Sequence, residues 1–223
     1  MNLDELSKGS TVALPSILKN DHDVKVFDDF VAGSSIITKT MLSALSTALG
    51  LQGCDRFENS HRNDHKSNST LAMFRYIPGD ITSSKEVGHQ KHTDIGSLTL
   101  LFSEQWGLQV QRPGPENHEK WEFIEPRPGY AVINVGDSLR FASGHQLYSC
   151  IHQVVPIDSS EHRYSIAYFL RPEDEAKYKD SNGTWVTARE WHDAKYEVFQ
   201  KEHEQQIGSD SILMGGMEMV VSA

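Results

Sequence analysis

Cysteine is scarce in this chain of 223 residues, which has only Cys54 and Cys150, far apart in the sequence. Two isolated cysteines exclude a disulfide-stapled scaffold and a structural zinc knuckle, because both need several cysteines at close spacing. This usage favours a reducing compartment. The first residues also lack the basic start and the apolar run of a secretory signal. We therefore expect a cytoplasmic location.

Basic clusters and long apolar runs are also missing. The 31 acidic residues outnumber the 21 basic ones, which gives a formal net charge of -10. An acidic protein repels nucleic-acid phosphates and anionic lipid surfaces. No stretch approaches the roughly 18 apolar residues of a membrane span. We therefore expect neither nucleic-acid binding nor membrane insertion, and the 38% of hydrophobic residues suffices for one substantial core.

What the chain does contain is a helical stretch, then short strands, then a second helical stretch. Apolar residues recur every three or four positions from about Asp21 to Leu49 and predict a long helix, which Gly33 could bend and Gly50 ends. A second helical pattern covers Thr187 to Gln206. We expect a lead-in and helical support over 1–69, a β core over 70–172, and a C-terminal helix with a mobile or partner-bound tail over 173–223.

Between the two helical stretches, short β-prone runs alternate with turns rich in Gly, Pro and Asp. About eight such runs at this spacing suggest a β-sandwich or a small barrel, such as a jelly roll. The runs interpreted as strands are Thr70–Tyr76, His89–His92, Ser97–Ser103, Leu108–Gln111, Trp121–Glu125, Ala131–Val135, Ser149–Val155 and Arg163–Leu170.

Two of these runs lead to side chains that suit a metal ion. Residues two apart on a strand point the same way, so His92 and Asp94 can offer a nitrogen and a carboxylate oxygen to one ion. His152, in a later strand, adds a second imidazole. Two His and one carboxylate form the facial triad of non-haem iron(II), which leaves coordination positions open. A structural zinc site would fill four positions and would usually recruit cysteine.

Arg163 and Ser165 share a face of the strand that follows His152. A guanidinium group and a hydroxyl group together suit a carboxylate ligand. The alternative is an exposed Arg in a surface salt bridge, but the strand is otherwise apolar, which favours a buried role. Cys150 should share the face of His152, either as a pocket-lining thiol or, as we favour, as a small core residue. The remaining histidines near predicted turns, including His89, His118 and His162, are expected in solvent.

The order H-x-D, distal His and R-x-S resembles the iron(II)/2-oxoglutarate-dependent oxygenases. The surrounding text resembles their isopenicillin-N-synthase-like subgroup, which includes plant and fungal small-molecule hydroxylases and desaturases. The resemblance runs from about Thr70 to Pro172. The segments that carry it are His92–Leu101, Gly107–Val110, Pro128–Asp137 and His152–Val155.

This resemblance implies a mainly β chain with flanking helices, in which a double-stranded β-helix (jelly-roll) core lies between a long N-terminal helix and a C-terminal helix. It also assigns three residues to iron(II) and three to the cosubstrate 2-oxoglutarate. The implied iron ligands are His92, Asp94 and His152, and the implied cosubstrate-binding residues are Arg163, Ser165 and Tyr76.

The implied reaction uses iron(II), 2-oxoglutarate and dioxygen. It hydroxylates or desaturates a small organic molecule, typically of secondary metabolism, and decarboxylates 2-oxoglutarate to succinate. Family members usually extend further at the N-terminus, so we expect a second subunit or a missing N-terminal segment to cover the pocket. Two alternatives stay open: a non-haem iron oxidase that needs no 2-oxoglutarate, and a truncated, non-catalytic barrel that binds a small ligand or a partner. A zinc hydrolase would lack an obvious general base beside the ligands.

Overall fold

The computed structural model describes residues 20–77, 89–112, 120–155, 157, 161–201, 203–206 and 209–217. The predicted lead-in up to residue 19, His118, and the turns at Pro78-Gly79 and Pro113-Gly114-Pro115 lie outside these ranges. No helix within them has the length and apolarity needed to cross a membrane.

The first helix, α1, spans Asp21–Ala48, as predicted. Asn20 caps it, because its side-chain oxygen accepts a hydrogen bond from the amide of Asp23. The helix continues through Gly33 without interruption. Gly50 has a φ of 71°, the left-handed geometry that commonly ends helices, so the predicted stop is confirmed.

Among the described residues, eight antiparallel strands form two four-stranded sheets, so the expected jelly-roll fold is confirmed. The first sheet has the order β1-β8-β3-β6, and the second has the order β2-β7-β4-β5. Most strands lie where the sequence placed them, but β7 is shorter than expected. Their bounds are β1 Thr70–Tyr76, β2 His89–His92, β3 Leu98–Phe102, β4 Leu108–Arg112, β5 Lys120–Phe123, β6 Val132–Val135, β7 His152–Val154 and β8 Arg163–Leu170.

Alternation along β8 divides its side chains between a core and a cavity. Tyr168 is fully buried in a cluster that includes Leu42 of α1 and Leu100 of β3. Burying an apolar side chain such as that of Leu42 contributes about 1.5–3 kcal/mol. On the opposite face, Arg163 and Ser165 line a cavity between the two sheets. The hydrophobic packing of α1 therefore determines which face of the first sheet lines the cavity.

Several short elements were not predicted. Helix α2 spans Asp137–Ala142, and a small hairpin pairs β9, Lys177–Lys179, with β10, Trp185–Thr187. The predicted C-terminal helix is shorter than expected: α3 spans Ala188–Phe199, and a separate turn of helix, α4, spans His203–Gln206. Each unpredicted element is too short to show a clear hydrophobic period.

The C-terminal tail differs from the prediction wherever the structure describes it. Helix α5 spans Asp210–Leu213, and both Leu213 and Met214 are buried. The backbone N–H of Thr93 donates to the carbonyl oxygen of Leu213, with a nitrogen–oxygen distance of 2.9 Å. Residues 209–217 therefore pack on the chain's own loop between β2 and β3, whereas the sequence suggested a mobile or partner-bound tail.

Candidate active site

The three predicted metal ligands lie together at one end of the second sheet. The register of β2 and β7 places His92 directly opposite His152, and Asp94 follows two residues after His92. The Nε2 atoms of His92 and His152 lie 3.8 and 3.6 Å from Asp94 Oδ1. All three candidate ligand atoms lie within 4.8 Å of one another. Because a ligand atom lies about 2.0–2.2 Å from such an ion, two atoms that share it are at most about 4.4 Å apart, and the carboxylate–imidazole distances satisfy this limit.

Backbone carbonyl groups orient both imidazole rings. Nδ1 of His92 donates to the carbonyl oxygen of Gln90 at 2.6 Å, and Nδ1 of His152 donates to that of Cys150 at 3.0 Å. A carbonyl oxygen only accepts, so Nδ1 carries the proton in each ring and the Nε2 lone pair is directed towards Asp94. Burial and the neighbouring His152 lower the pKa of His92 well below its usual range, which keeps this imidazole neutral. A neutral imidazole is the form that binds a metal.

Two side chains from the first sheet hold the Asp94 carboxylate. Its Oδ2 accepts hydrogen bonds from Thr99 Oγ1 and from Asn134 Nδ2, each at 2.6 Å. Burial opposes ionisation of Asp94, but these hydrogen bonds favour it, and the pKa of Asp94 lies below its usual range. The carboxylate is therefore ionised, and Oδ1 remains free to face the imidazoles.

Arg163 presents the two terminal nitrogens of its guanidinium group to the cavity. Its side chain is only 4% exposed, and Nε donates to the carbonyl oxygen of Trp106 at 3.0 Å. The two terminal nitrogens are buried and meet no acceptor in the described part of the chain. A buried donor left without a partner costs about 1–3 kcal/mol, so this position fits a carboxylate ligand well. Gly107 makes room for the guanidinium group, since a Cβ there would lie 2.9 Å from Arg163 Nε.

The pairing of β1 with β8 completes this end of the cavity. Tyr76 lies opposite Arg163, and the guanidinium carbon is 5.0 Å from the centre of the Tyr76 ring. Ser165, on the same face of β8 as Arg163, is also buried. The Tyr76 hydroxyl forms a 3.0 Å hydrogen bond with Nδ1 of His89. His89 lines the cavity, so the prediction that it lies in solvent was wrong, whereas His162 is exposed.

Two cavities meet at the candidate metal ligands. The inner cavity lies between the sheets, has a volume of about 80 Å³, and extends to Arg163 and Ser165. Cys150 also lines it, so the pocket-lining interpretation of this thiol is correct and the core interpretation was wrong. The outer cavity has a volume of about 580 Å³ and is bounded by α3. His92 and Asp94 belong to the walls of both, so an ion held there would face a molecule in each.

A buried ion pair, which the sequence did not reveal, supports the loop that carries Asp94. Lys195 of α3 is fully buried, and its Nζ donates to Asp137 Oδ2 at 2.6 Å and to Thr93 Oγ1 at 2.7 Å. The amide of Asp137 donates to the carbonyl oxygen of Asp94 at 2.8 Å. Lys195 lies 102 positions from Thr93 and 58 from Asp137, so no local motif could have linked them.

Comparison with known proteins identifies the family. Residues 68–172 match the family model of the 2OG-Fe(II) oxygenase superfamily. The 2-oxoglutarate-dependent dioxygenase iboH of Amanita muscaria (strain Koide BX008) is 49% identical over 212 residues, which cover 94% of this chain and 100% of iboH. The 2-oxoglutarate-dependent dioxygenase gloE of Glarea lozoyensis is 46% identical over 207 residues, which cover 92% of this chain but 60% of gloE.

A solved structure supports the fold. The crystal structure of a full-length Neurospora crassa protein in complex with alpha-KG and thymine matches with a TM-score of 0.66 and 22% sequence identity, over 82% of this chain and 59% of that one. Iron(II), 2-oxoglutarate and dioxygen are the cofactor and cosubstrates that the family uses. From its sequence and its fold, this chain belongs to the 2OG-Fe(II) oxygenase superfamily.

Proposed function

We propose that this oxygenase hydroxylates or desaturates a small organic molecule of secondary metabolism, and that His92, Asp94 and His152 hold its iron(II). One observation carries the proposal. Three candidate ligand atoms converge where two cavities meet, and the inner cavity extends to Arg163, whose terminal nitrogens have no partner among the described residues. Relatives that are 2-oxoglutarate-dependent dioxygenases of fungi support the choice of substrate class.

Arg163 and Ser165 would bind the far carboxylate of 2-oxoglutarate, and the Tyr76 ring would hold the guanidinium group in place. This contact would direct the 2-oxo acid end of the cosubstrate towards His92 and Asp94 in the shared wall. When bound, iron(II) activates dioxygen so that 2-oxoglutarate is converted to succinate and carbon dioxide while a substrate C–H bond is oxidised.

The remaining lining of the inner cavity is largely apolar and keeps bulk water away from the reacting atoms. Leu101 and Val132 come from the first sheet, and Leu108 and Val110 come from the second. The orientation of the imidazoles by Gln90 and Cys150 keeps both Nε2 atoms in place before any ligand enters. The protein thus supplies orientation and a dry chamber.

The decisive experiment measures succinate release by the iron-reconstituted protein against a library of small molecules. We expect 2-oxoglutarate to produce a visible absorption band with iron(II) under anaerobic conditions, and succinate release to track product formation. Oxygen consumption and product without succinate would indicate the iron oxidase that needs no 2-oxoglutarate. If small molecules bind but none of them causes oxygen consumption, the protein is the non-catalytic barrel.

The proposed domain organisation is a support over 1–69, a catalytic core over 70–172 and a C-terminal region over 173–223. Burial of Leu42 and Leu213, which attach the outer regions to the barrel, supports it. We also propose a cytoplasmic location, because both cysteines are free and Cys54 is exposed, as a reducing compartment allows. Limited proteolysis and localisation of a fluorescent fusion test these two proposals.

We further propose that a second subunit or a further N-terminal segment covers the pocket. The support is an apolar residue at its edge: Ile77, next to the cavity-lining Tyr76, is 67% exposed. Sedimentation velocity on the wild type and on Ile77→Ser tests the subunit form. We expect the wild type to form a dimer and Ile77→Ser to weaken it. A wild type that is a monomer at all concentrations would leave only the proposal that an N-terminal segment covers the pocket.

A further inference from the structure

Beyond the iron and the cosubstrate, the geometry points to a second anion-binding position. We propose that Arg171 binds the carboxylate of the substrate, so that this oxygenase acts on small organic acids. The inference deepens the proposed function and rests on it. Arg171 follows β8 directly and lines the outer cavity, on the opposite side of His92 and Asp94 from Arg163.

The outer cavity has the extent of a small-molecule site. On one side it is bounded by residues that also line the inner cavity, and on the other side it is bounded by α3. Arg171 lies close to the loop between β2 and β3, since a Cβ on Gly96 would lie 2.8 Å from Arg171 Cγ. The residues that α3 contributes are His192, Tyr196 and Phe199.

Arg171 has hydrogen-bond partners but no counterion in the described part of the chain. Nη1 donates to the Thr70 hydroxyl at 2.9 Å and to the carbonyl oxygen of Asn68. Nε is buried without a partner, and in the described ranges Nη2 also meets no acceptor. Nε and Nη2 form the edge of a guanidinium group that pairs side-on with a carboxylate. Burial lowers the pKa of Arg171 to about 10, so the group stays positively charged at neutral pH.

Two neighbouring arginines form ion pairs with carboxylates, whereas Arg171 forms none with the described carboxylates. Arg62 forms a two-pronged pair with Glu173, with contacts of 2.7 to 3.0 Å. Arg189 pairs with Asp193 at 2.7 Å. Both of these arginines are half exposed, so water would solvate them even if they were unpaired. Arg171 is the more buried group, and among the described carboxylates none forms an ion pair with it, although the chain carries a net charge of -10.

The nearby carboxylates already have partners. Asp94 accepts from Thr99 and Asn134 and faces the candidate metal position. Asp193 is held by Arg189 and by His192, whose Nδ1 lies 2.9 Å from it. A partly buried cation without a counterion is unfavourable, and a ligand carboxylate would satisfy it.

An apolar path connects Arg171 to the metal ligands. Its guanidinium carbon lies 5.3 Å from the centre of the Phe169 ring, which lines both cavities. Phe199 meets His92 edge to face, with centroids 5.2 Å apart. This arrangement suits a molecule with its carboxylate at Arg171 and a hydrocarbon portion that passes Phe169 and Phe199 towards His92. The oxidised carbon would then lie several bonds from the carboxylate.

The test compares acids with their uncharged amides in ligand-observed NMR titrations of the full-length, metal-free protein. The probes are hexanoate with hexanamide, and phenylacetate with phenylacetamide. We expect the wild type to bind each acid at least about tenfold more tightly than its amide, in line with charge-assisted hydrogen bonds to a partly buried guanidinium group. Equal affinity of acid and amide, or no binding of either acid, would overturn the inference.

Two variants locate the acid preference. In Arg171→Gln the preference should vanish, whereas in Arg163→Gln it should persist, because the cosubstrate clamp lies in the other cavity. The reverse pattern would place the probes at Arg163 and reject the assignment. Since Arg171 also ties Asn68 to Thr70, thermal unfolding is recorded for each variant.

If Arg171→Gln does not fold, Arg171→Lys replaces it, because lysine keeps the charge but lacks the fork. A several-fold weaker preference in Arg171→Lys supports the inference, and an unchanged preference contradicts it. The readout is binding and needs neither iron nor turnover. A protein that binds acids at Arg171 but never releases succinate would therefore refute only the proposed function, and an active oxygenase with no acid preference would refute only this inference.

Discussion

His92 and His152 lie directly opposite each other on neighbouring antiparallel strands, with ring centroids 4.3 Å apart. This single cross-strand pair places two of the three proposed iron ligands, and the extended chain after β2 brings Asp94 beside them. Sheet pairing is rigid, so the position between the rings exists before any ion binds.

Replacement of His92 or Asp94 by Ala should abolish iron binding. Each substitution removes one of three donors, and the iron content should fall from about one ion per chain to near zero. Metal analysis after anaerobic reconstitution measures this change. His162→Ala is the matched control, because His162 is exposed, and it should keep its iron. Full iron content in Asp94→Ala would contradict the assigned ligand set.

The variant Arg163→Gln should raise the 2-oxoglutarate concentration needed for half-maximal turnover by roughly ten- to a hundredfold. The physical reason is the loss of charge-assisted hydrogen bonds, which contribute about 1.5–3 kcal/mol. Iron content should not change, since Arg163 is not a candidate ligand. The 2-oxoglutarate concentration that Arg163→Lys needs should lie between those of the wild type and Arg163→Gln. An unaltered 2-oxoglutarate requirement in Arg163→Gln would contradict the proposal that Arg163 binds the far carboxylate of the cosubstrate.

Asn134→Leu and Thr99→Val should each weaken iron binding by roughly ten- to a hundredfold, the usual effect of removing a group that orients a metal ligand. Each variant takes one hydrogen bond from Asp94 Oδ2 and leaves all three donors in place. Competition with a coloured chelator gives the affinity. Wild-type affinity in both variants would show that the strand alone fixes the carboxylate.

Lys195→Met should destabilise the protein by about 3–5 kcal/mol, because it leaves the buried carboxylate of Asp137 without its partner. The double variant Lys195→Met/Asp137→Asn, which removes both charges, should recover part of that loss. Urea unfolding followed by tryptophan fluorescence measures both. Equal stability of the single and double variants would show that the two charges are not energetically linked.

Stability should fall as the pH decreases from about 6.5 to 4, and His61 should cause part of that fall. Burial lowers the pKa of His61 from 6.5 to about 4. Its Nδ1 donates to the carbonyl oxygen of Phe57, and its Nε2 accepts from the Ser97 hydroxyl. The unfolded chain therefore takes up a proton in this window and the folded chain does not. The contribution is complete above pH 6.5 and declines by about 3 kcal/mol towards pH 4.

Urea unfolding of the metal-free protein at several pH values tests this linkage. His61→Gln should lose less stability than the wild type between pH 7 and 4, whereas His162→Gln, at an exposed position, should follow the wild type. Parallel curves for the wild type and His61→Gln would contradict the buried neutral state.

Local patterns predicted the framework well. The bounds of β1, β2 and β8 match the predicted runs, because alternation and turn residues are properties of adjacent positions. The spacing of His92 and Asp94, and that of Arg163 and Ser165, likewise follows from the two-residue repeat of a strand. The structure brings these four residues, with His152 and Tyr76, to the wall of one cavity.

Contacts between distant segments could not be predicted. Lys195 resembles any surface lysine on an amphipathic helix, yet it is fully buried because α2 and the loop between β2 and β3 cover it. Arg171 stands before a proline at the end of a strand, and only the fold shows that it lines a cavity and has no counterion among the described carboxylates. The β9–β10 hairpin escaped notice because its strands have three residues each.

The bond from Thr93 to Leu213 has a consequence for synthesis of the protein. Thr93, between two proposed ligands, takes its backbone partner from Leu213, which is synthesised 120 positions later. A nascent chain halted after α3 would contain every proposed iron ligand and still lack this anchor. Stable metal loading should therefore require synthesis of α5, and a nonsense codon or a protease cut just after Phe199 would yield a chain that keeps every proposed ligand but holds the ion poorly.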